Sequence, residues 1–554
     1  MQTKLALLFA ALSVTTTLHA ARAQSVDIFF QAVEGGPARP LTVEEKANLQ
    51  DPLFRLVLAR QPGVTTLSEI EGLIQADRNK RFIFVVDEEI KDFRQPQGRR
   101  SVITFDGANG DAQLNGNIAL SIFFSSGAMP DQDVELEAWG WDEKNGVYNF
   151  YKLDHQGNTT PPLSWKLRGS SAGADRLAAD NRNGTCLRCH TSGVPIMKEL
   201  SFPWNNWHSF TSPANYLTSD TPLDQRWPVA NDPNFPQLSG GDTLETIIKG
   251  AVIRFNNRRL TDLLPGDAQN ERIVHDAKIL LKPLFDTTEI NLESAQQKSG
   301  LHPLPDPITS GPSQPITLPD NFFLQADLLA GTNDIVGIGI SEAKGFGSKA
   351  IIQPVEYKEL IQSSRVQITR ANGITLPGDT NFAWLTPVPG FAASHWVGTL
   401  LRQKVISPDF VAAVLSVDLE LPVFSDRRRS LLQVIPDTFT VTPGETYPDK
   451  LTREIIAALE SRKLSADSPE AEFLAILKSP SPVQELKSRV LSYNNRLAAT
   501  LGNPSTRQGE LARLFDLLIA RRRMVATYPD PNHFPMFGSL IESDALLPLP
   551  APSR

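Results

Sequence analysis

The sequence predicts an α+β multidomain protein, with a β-rich N-terminal segment, a helical middle segment and a mainly α-helical C-terminal domain. The 554 residues are 41% hydrophobic and 21% charged, a globular balance that excludes collagen-like, disordered and disulfide-scaffold classes. Apolar residues alternate with a period of two between residues 81 and 168, whereas a helical period dominates beyond residue 321. At about 100–200 residues per domain, a chain of this length holds roughly two to four domains.

Residues 1–23 have the organisation of a secretory signal peptide. Lys4 precedes an apolar run over residues 5–14, and Ala21 and Ala23 occupy the small-residue positions of a cleavage site. The run is too short to span a bilayer, although an uncleaved anchor is the alternative. We therefore expect an exported, periplasmic protein of a Gram-negative bacterium, with no membrane span after signal removal.

Residues 24–170 form the predicted β-rich domain. Strand patterns occur at 25–30, 81–86, 101–105, 117–124, 134–141, 147–152 and 163–167. Thr42 and Glu45 match a capping box that opens a helix to about residue 60, and a second helix begins near Ser68. Because turn-forming residues separate the strands, residues 81–168 are expected to form an antiparallel sheet or a small barrel.

A helical segment over 171–298 follows, with helices expected at about 242–264 and 268–286. Residues 299–320 contain six prolines and form the predicted linker. The mainly α-helical domain covers 321–554. Its expected helices lie at about 354–363, 391–404, 450–462, 468–478, 482–500 and 507–526, with short strands at 335–340 and 413–420.

The charge distribution argues against nucleic acid as a partner. The formal net charge is −8, and the sequence has no basic block that could neutralise a run of phosphates. Nucleic acid is therefore not among the expected partners.

One motif carries chemistry. Residues 186–190 read C-x-x-C-H, and Cys186 and Cys189 are the two cysteines of the chain. Two thiols on one helical turn can add across the two vinyl groups of a haem, and the adjacent imidazole of His190 can bind the iron. Export implies an oxidising compartment in which disulfides are permitted, so the restriction of cysteine to this motif favours haem attachment.

Three other uses of the motif remain open. A structural zinc site normally needs four ligands, and the sequence offers no second cysteine pair. A thioredoxin-like dithiol needs a βαβ setting, which the local pattern lacks. A plain buried disulfide would not need the histidine.

The motif resembles that of the c-type cytochromes. The resemblance covers only the stretch around residues 186–190 and implies one covalently attached haem c, held by Cys186 and Cys189, with His190 as the proximal iron ligand. A weaker resemblance joins residues 81–195 to the cytochrome P460 family, in which a β-rich segment leads to a C-x-x-C-H near its end. The cross-linking lysine of that family has no matching position here.

The sixth iron ligand decides the role of such a haem. His208 lies in a Trp-rich stretch that is long enough to pass a haem edge, Met129 lies in a loop between two strands, and Met197 follows His190 closely. Met536 in the C-terminal tail is a further candidate, and an open or water-bound iron is the remaining alternative. The histidines at 155, 275, 302 and 395 are interpreted as surface or capping residues, and Arg168, Arg182 and Arg188 as candidate partners of haem propionates.

One-electron transfer with a periplasmic redox partner is the first functional expectation, and the expected partners are a redox protein or a small-molecule substrate. A haem c enzyme with an open distal site, acting on peroxide, oxygen or a small nitrogen compound, is the alternative, and a haem-based binding or sensing module is a third. The sequence has no H-E-x-x-H, G-x-S-x-G or P-loop motif. It also has no second C-x-x-C-H, so a full resemblance to dihaem peroxidases does not hold.

Overall fold

A computed structural model of the chain shows a mixed α+β fold, with a sheet in the N-terminal part and helices in the C-terminal part, as the sequence predicts. The structure describes residues 27–32, 36–64, 67–75, 80–92, 95–106, 117–125, 135–154, 164–173, 186, 190, 193, 239–264, 271–286, 290–293, 315–330, 337–365, 367–369, 375–377, 386–422 and 425–527. The predicted signal peptide lies outside these residues. No helix in the described ranges combines the length and the apolar character needed to cross a bilayer.

The N-terminal sheet has nine strands. They are β1 Phe29–Phe30, β2 Arg39–Pro40, β3 Lys80–Asp92, β4 Gln95–Asp106, β5 Ile118–Ser125, β6 Glu135–Asp142, β7 Val147–Asp154, β8 Ser164–Ser170 and β9 Ser239–Gly240. β3 to β8 pair antiparallel in chain order, while β1 joins β8 and β9 joins β3 in parallel. The predicted strands between 81 and 168 are confirmed, and the described strands form an open sheet, not a small barrel.

Alternating side chains give the sheet two apolar faces. The first, which we call the aromatic face, is formed by Val102, Ala119, Trp139, Trp141, Tyr148 and Phe150. The second, the opposite face, is formed by Ile103, Phe105, Ile118, Leu120, Leu136, Ala138, Tyr151, Leu153 and Trp165. Leu53, Val57 and Ile70 of the N-terminal segment cover the opposite face. The long helix Gly241–Leu263 (α3) covers the aromatic face through Leu244, Ile248, Val252 and Phe255.

The helices before the sheet are short. Thr42 and Glu45 form the predicted capping box, and the helix that they start, α1, covers Val43–Asn48. The second predicted helix, α2, is confirmed over Leu67–Ile74. The expectation of one continuous helix from residue 43 to about residue 60 is wrong.

The helix is interrupted because the sheet binds the residues that follow it. The backbone N–H of Gln50 donates to the Asp142 carboxylate at the end of β6, with an N–O distance of 2.9 Å. The next residue, Asp51, turns its side chain onto the sheet. The chain then resumes as a π-helical turn over Phe54–Leu58. These long-range hydrogen bonds replace the intrahelical ones that a continuous helix would make.

Asp51 is fully buried on the opposite face and is satisfied by three donors. Its Oδ2 accepts from the hydroxyl of Tyr151 at 2.6 Å and from Nδ2 of Asn149 at 2.9 Å. Its Oδ1 accepts from the backbone N–H of Phe54 at 2.9 Å. Burial raises the pKa of Asp51, and the three donors oppose that rise. The cluster therefore ties the N-terminal segment to β7.

The C-terminal part is mainly helical, as expected. The helices after α3 are α4 Ala277–Phe285, α5 Asp320–Phe323, α6 Ala326–Ala330, α7 Pro354–Ser363, α8 Phe391–Arg402, α9 Pro408–Ser416, α10 Asp426–Ser430, α11 Tyr447–Glu460, α12 Pro469–Leu477, α13 Pro482–Gly502 and α14 Pro504–Thr527. Together they bury one large apolar core, in which Trp396, Phe410, Phe473 and Phe515 are at most 1% exposed. The predicted helices at 354–363, 391–404, 450–462, 468–478, 482–500 and 507–526 are confirmed.

Three shorter expectations are wrong. The strand expected at 413–420 is instead the last turn of α9 and the turn that follows it. At the start of this helix, the Phe410 N–H donates to the Ser407 hydroxyl, which caps it. The helix expected from residue 268 begins at Ala277, after a strand Arg272–Val274 (β10) that pairs with Phe439–Val441. The described part of the strand expected at 335–340 forms no ladder.

Residues before the proline-rich segment 299–320 pair with residues far beyond it. Besides the pairing of β10, Ile290–Glu293 lies antiparallel to Thr386–Pro389. Within the segment itself, Ile316–Thr317 pairs with Ile351–Ile352. The last turns of α3 also join the C-terminal core through Leu260. One helix therefore contacts both the aromatic face of the sheet and the helical core.

Candidate functional site

The C-x-x-C-H motif forms a helical turn at its described positions. The backbone N–H of His190 donates to the carbonyl of Cys186 at 3.0 Å, which is the hydrogen bond of one α-helical turn. The N–H of Gly193 donates to the carbonyl of His190 at 2.8 Å, and Gly193 has a φ of +79°. Glycine adopts this left-handed backbone at little cost, and the conformation is typical of the residue that ends a helical turn.

The turn lies against the aromatic face of the sheet. Cys186 is half-buried and packs at the margin of the cluster formed by that face and α3. The half-buried imidazole of His190 stacks on Phe150 of β7, with ring centroids 5.1 Å apart and an interplanar angle of 24°. His190 and β7 are therefore in contact although they are far apart along the chain.

Three other large rings lie on the same face as Phe150. Trp139 of β6 is its direct cross-strand partner. Trp139 and Tyr148 meet edge to face with centroids 5.2 Å apart, and Trp141 and Tyr148 lie 4.7 Å apart. Trp139 is 7% exposed and the other two are at most 2% exposed. The side of the sheet that receives the motif is thus aromatic and almost dry.

Arg254 of α3 supplies a positive charge beside these rings. Its guanidinium lies 5.4 Å from the centre of the Trp141 ring and donates to the Tyr148 hydroxyl at 3.2 Å. The hydroxyl in turn donates to the Ala251 carbonyl at 3.2 Å. Burial is the main cause that raises the pKa of Tyr148 to about 12, so this phenol keeps its proton at neutral pH.

Arg168 is a buried residue of the N-terminal sheet. It is 3% exposed in β8, at a register shift between β7 and β8, and its Nη1 donates to the Gln31 carbonyl at 3.4 Å. This contact attaches the segment after β1 to the sheet. Binding of a haem propionate by Arg168 stays a prediction.

The other predicted site residues lie outside the described part of the chain. They are Cys189, the distal candidates His208, Met129, Met197 and Met536, and the candidate propionate partners Arg182 and Arg188. The structure therefore places Cys186 and His190 close together, whereas every candidate for the distal ligand lies outside the residues that it describes. Within the described residues, no three His, Cys, Asp or Glu side chains converge as a bare metal ion would require.

His395 differs from its interpretation as a surface or capping residue. It is 3% exposed in α8, whereas His275 is exposed as expected. The Nδ1 atom of His395 lies 3.0 Å from Nδ2 of Asn256, and its Nε2 lies 3.3 Å from a guanidinium nitrogen of Arg402. Both neighbouring groups carry N–H donors, and a neutral imidazole can accept at only one of its two nitrogens. The sequence signal was the apolar flank on both sides, including Trp396.

The described half of the motif fits a covalently attached haem. Cys186 and His190 lie one turn apart, both are partly accessible, and an apolar aromatic surface lies beside them. These are the requirements of a thioether bond, an axial imidazole and a low-polarity wall. Comparison with family models, curated proteins and solved structures found no match to this chain.

Proposed function

We propose that the chain is an exported monohaem c-type cytochrome that transfers single electrons with a periplasmic redox partner. The observation that carries the proposal is the helical turn from Cys186 to His190, with the imidazole stacked on Phe150. An imidazole fixed by a flat aromatic neighbour is suited to axial ligation, since ring orientation is one means by which a protein tunes an iron centre.

In this proposal each residue of the motif has one role. Cys186 and Cys189 would bind the haem through thioether bonds, and His190 would bind the iron. Phe150 would hold the imidazole plane, and the dry aromatic face would exclude water from that side. When bound, the haem would supply a ferric/ferrous one-electron couple.

The remaining parts of the chain have proposed roles as well. We propose that residues 1–23 direct export and that 24–170, 171–298 and 321–554 are domains, the middle one binding the haem. A simple electron carrier needs only one small domain. The large helical core beyond residue 321 would therefore serve to bind the redox partner or a substrate.

The first experiment is an absorption spectrum of protein that has matured with a haem-attachment system, followed by the pyridine test for thioether bonds. We expect covalent haem in the parent chain. Cys186→Ser should shift the pyridine spectrum to that of a single thioether, and His190→Ala should change the iron spin state. His275→Ala is the matched control because that imidazole is exposed and distant from the motif in sequence, and its spectrum should equal the parent's. Absence of covalent haem in the parent would falsify the proposal and favour a zinc site or a dithiol.

Carbon monoxide distinguishes the electron carrier from the haem enzyme. A held sixth ligand should prevent rapid binding to the ferrous protein, as electron transfer requires, whereas an open iron should bind at once. His208→Ala, Met129→Leu and Met197→Leu then identify the ligand, because only the true ligand's variant should become reactive. Rapid binding to the parent protein would instead favour the enzyme.

A further inference from the structure

The rings on the aromatic face form a continuous series from the motif to the surface. His190 stacks on Phe150 at 5.1 Å, and Phe150 faces Trp139 across the β6–β7 ladder. Trp139 contacts Tyr148 at 5.2 Å, and Tyr148 contacts Trp141 at 4.7 Å. Directly opposed side chains on one face of an antiparallel pair have Cβ atoms about 4.5–5.5 Å apart, so the Phe150–Trp139 step is short as well.

The series ends at an exposed turn. The indole N–H of Trp141 donates to the carboxylate of Glu143, the first residue of the turn between β6 and β7. Glu143, Lys144 and Asn145 are exposed, whereas Trp141 is 2% exposed. A redox partner that touches this turn would therefore come within a few atoms of a buried indole.

The members of the series differ in how readily they lose an electron. Indoles can be oxidised by one electron without first losing a proton, so Trp139 and Trp141 can act as relay sites. Phenylalanine is far harder to oxidise, and Phe150 can only bridge. Tyr148 would have to lose its proton, yet its hydroxyl faces a backbone carbonyl and a guanidinium, neither of which is a base. Tyr148 therefore bridges as well.

The charges around Trp141 favour a relay role. The carboxylate of Glu143 contacts the indole N–H and stabilises a positive charge on the ring. The Arg254 guanidinium at 5.4 Å opposes it. Because the carboxylate is in direct contact with the indole N–H and the guanidinium is farther away, the charges near Trp141 do not oppose loss of an electron from its ring.

We propose that Trp139 and Trp141 relay single electrons between the haem site and a partner at the turn that begins with Glu143. This inference rests on the proposed function. For a partner that is a strong one-electron oxidant, such as a high-valent metal centre, Trp141 would give one electron to the partner and take one from Trp139. Trp139 would in turn be reduced by a ferrous haem held at His190. No bond forms or breaks, no proton leaves, and the net change is oxidation of the iron and reduction of the partner by one electron.

A photochemical oxidant at the turn tests the relay in the whole haem-loaded protein. Lys144→Cys provides a thiol for a ruthenium polypyridyl label, because both native cysteines would be held in thioether bonds. After a laser flash and oxidative quenching, the rate of haem oxidation is followed by transient absorption. Trp139→Phe and Trp141→Phe should each slow it by at least about tenfold, equivalent to about 1.4 kcal/mol in barrier, and should remove the transient tryptophan-radical absorption.

Two controls separate the relay from general effects. Trp165→Phe makes the same change in the same sheet but on the opposite face, and Tyr148→Phe keeps the bridging ring. Both variants should therefore change the rate by less than about twofold, equivalent to at most about 0.4 kcal/mol in the barrier. Unchanged rates in both Trp139→Phe and Trp141→Phe would overturn the relay while leaving the proposed function intact. Haem content is measured first on the same samples, so loss of covalent haem would instead remove the proposed function and the relay with it.

Discussion

The carboxylate of Asp51 lies directly against the α-carbon of Gly140. A Cβ built on Gly140 would come within 2.3 Å of Asp51 Oδ1 and 2.7 Å of its carboxyl carbon. Gly140 stands between Trp139 and Trp141 on β6, so the glycine leaves room for Asp51 on one face while the tryptophans form the other. The buried acid, the N-terminal segment and the aromatic face are thus coupled through one residue.

Gly140→Ala should therefore destabilise the protein. The new methyl group must displace a buried carboxylate that three donors hold, and overpacking of this kind costs about 1–3 kcal/mol. Chemical denaturation would measure the free energy of unfolding. Gly250→Ala is the matched control, because nothing lies within 4 Å of a Cβ at that position in α3 and alanine favours helix by up to about 1 kcal/mol. Equal stability of Gly140→Ala and the parent would contradict the close contact.

Tyr151→Phe should destabilise the protein in a pH-dependent way. Its hydroxyl is one of three donors to Asp51, and loss of a donor to a buried charged group costs about 1–3 kcal/mol. Burial raises the pKa of Asp51 in the folded state, so this group's contribution to stability falls as pH rises from the ordinary aspartate pKa to the folded one. Removing an opposing donor raises the pKa further, so the destabilisation should be larger at neutral pH than in acid.

Unfolding curves at several pH values below neutrality would test this dependence. Tyr148→Phe is the control, since its hydroxyl accepts from Arg254 and donates to a carbonyl, and so is not a hydrogen-bond donor to a carboxylate. A destabilisation by Tyr151→Phe that is constant with pH would show that Asp51 does not sense this hydroxyl.

Ser407→Ala should destabilise α9. The Ser407 hydroxyl accepts from the Phe410 N–H at 3.1 Å, and the loss of such a cap costs about 1 kcal/mol. The free energy of unfolding would again be measured. Ser461→Ala serves as the control, because that exposed hydroxyl contacts a carbonyl at the other end of a helix and caps no N–H. Similar losses from both substitutions would argue against the cap.

Helix α9 also shows where the sequence pattern alone is ambiguous. Residues 411–415 are apolar without interruption, so their pattern cannot separate a buried helix from a buried strand. Packing on several sides decides for the helix, whose residues from Phe410 to Ser416 are all buried. The break after α1 was likewise hidden, because the acceptor of the Gln50 N–H is Asp142, 92 residues away.

The sequence predicted the local geometry of the motif but not the residues that surround it in the fold. The spacing of Cys186 and His190 predicts one helical turn, and their backbone hydrogen bond has that geometry. The ring that receives the histidine belongs to β7, and no short-range pattern identifies Phe150 as its neighbour. The strand alternation predicted that Phe150 lies on one face of a sheet, but not what that face contacts.

Arg428 should be far more important for stability than its neighbour Arg429. The Arg428 guanidinium is 1% exposed and donates to the carbonyls of Asp418, Leu421 and Pro422, and burial lowers its pKa to about 10. Arg428→Met would leave buried carbonyls without donors, at a cost of about 1–3 kcal/mol for each group left unsatisfied. Arg429→Met removes an ion pair at the surface, worth about 0–1 kcal/mol. Thermal unfolding of both variants would measure the difference, and equal losses would contradict a buried structural role for Arg428.

Phe150→Leu should alter the redox potential of the haem-loaded protein while leaving haem attachment unchanged. The leucine cannot stack on the His190 imidazole, so the ring would turn more freely and admit water, which favours the more highly charged ferric state. We expect the midpoint potential to fall by up to about 60 mV, a tenfold change in the equilibrium constant for one electron. Phe105→Leu is the control, because Phe105 is fully buried on the opposite face and its loss reports general loosening of the sheet. Equal shifts in both variants would mean that the stacked ring does not tune the histidine, since only one of the two phenylalanines contacts it.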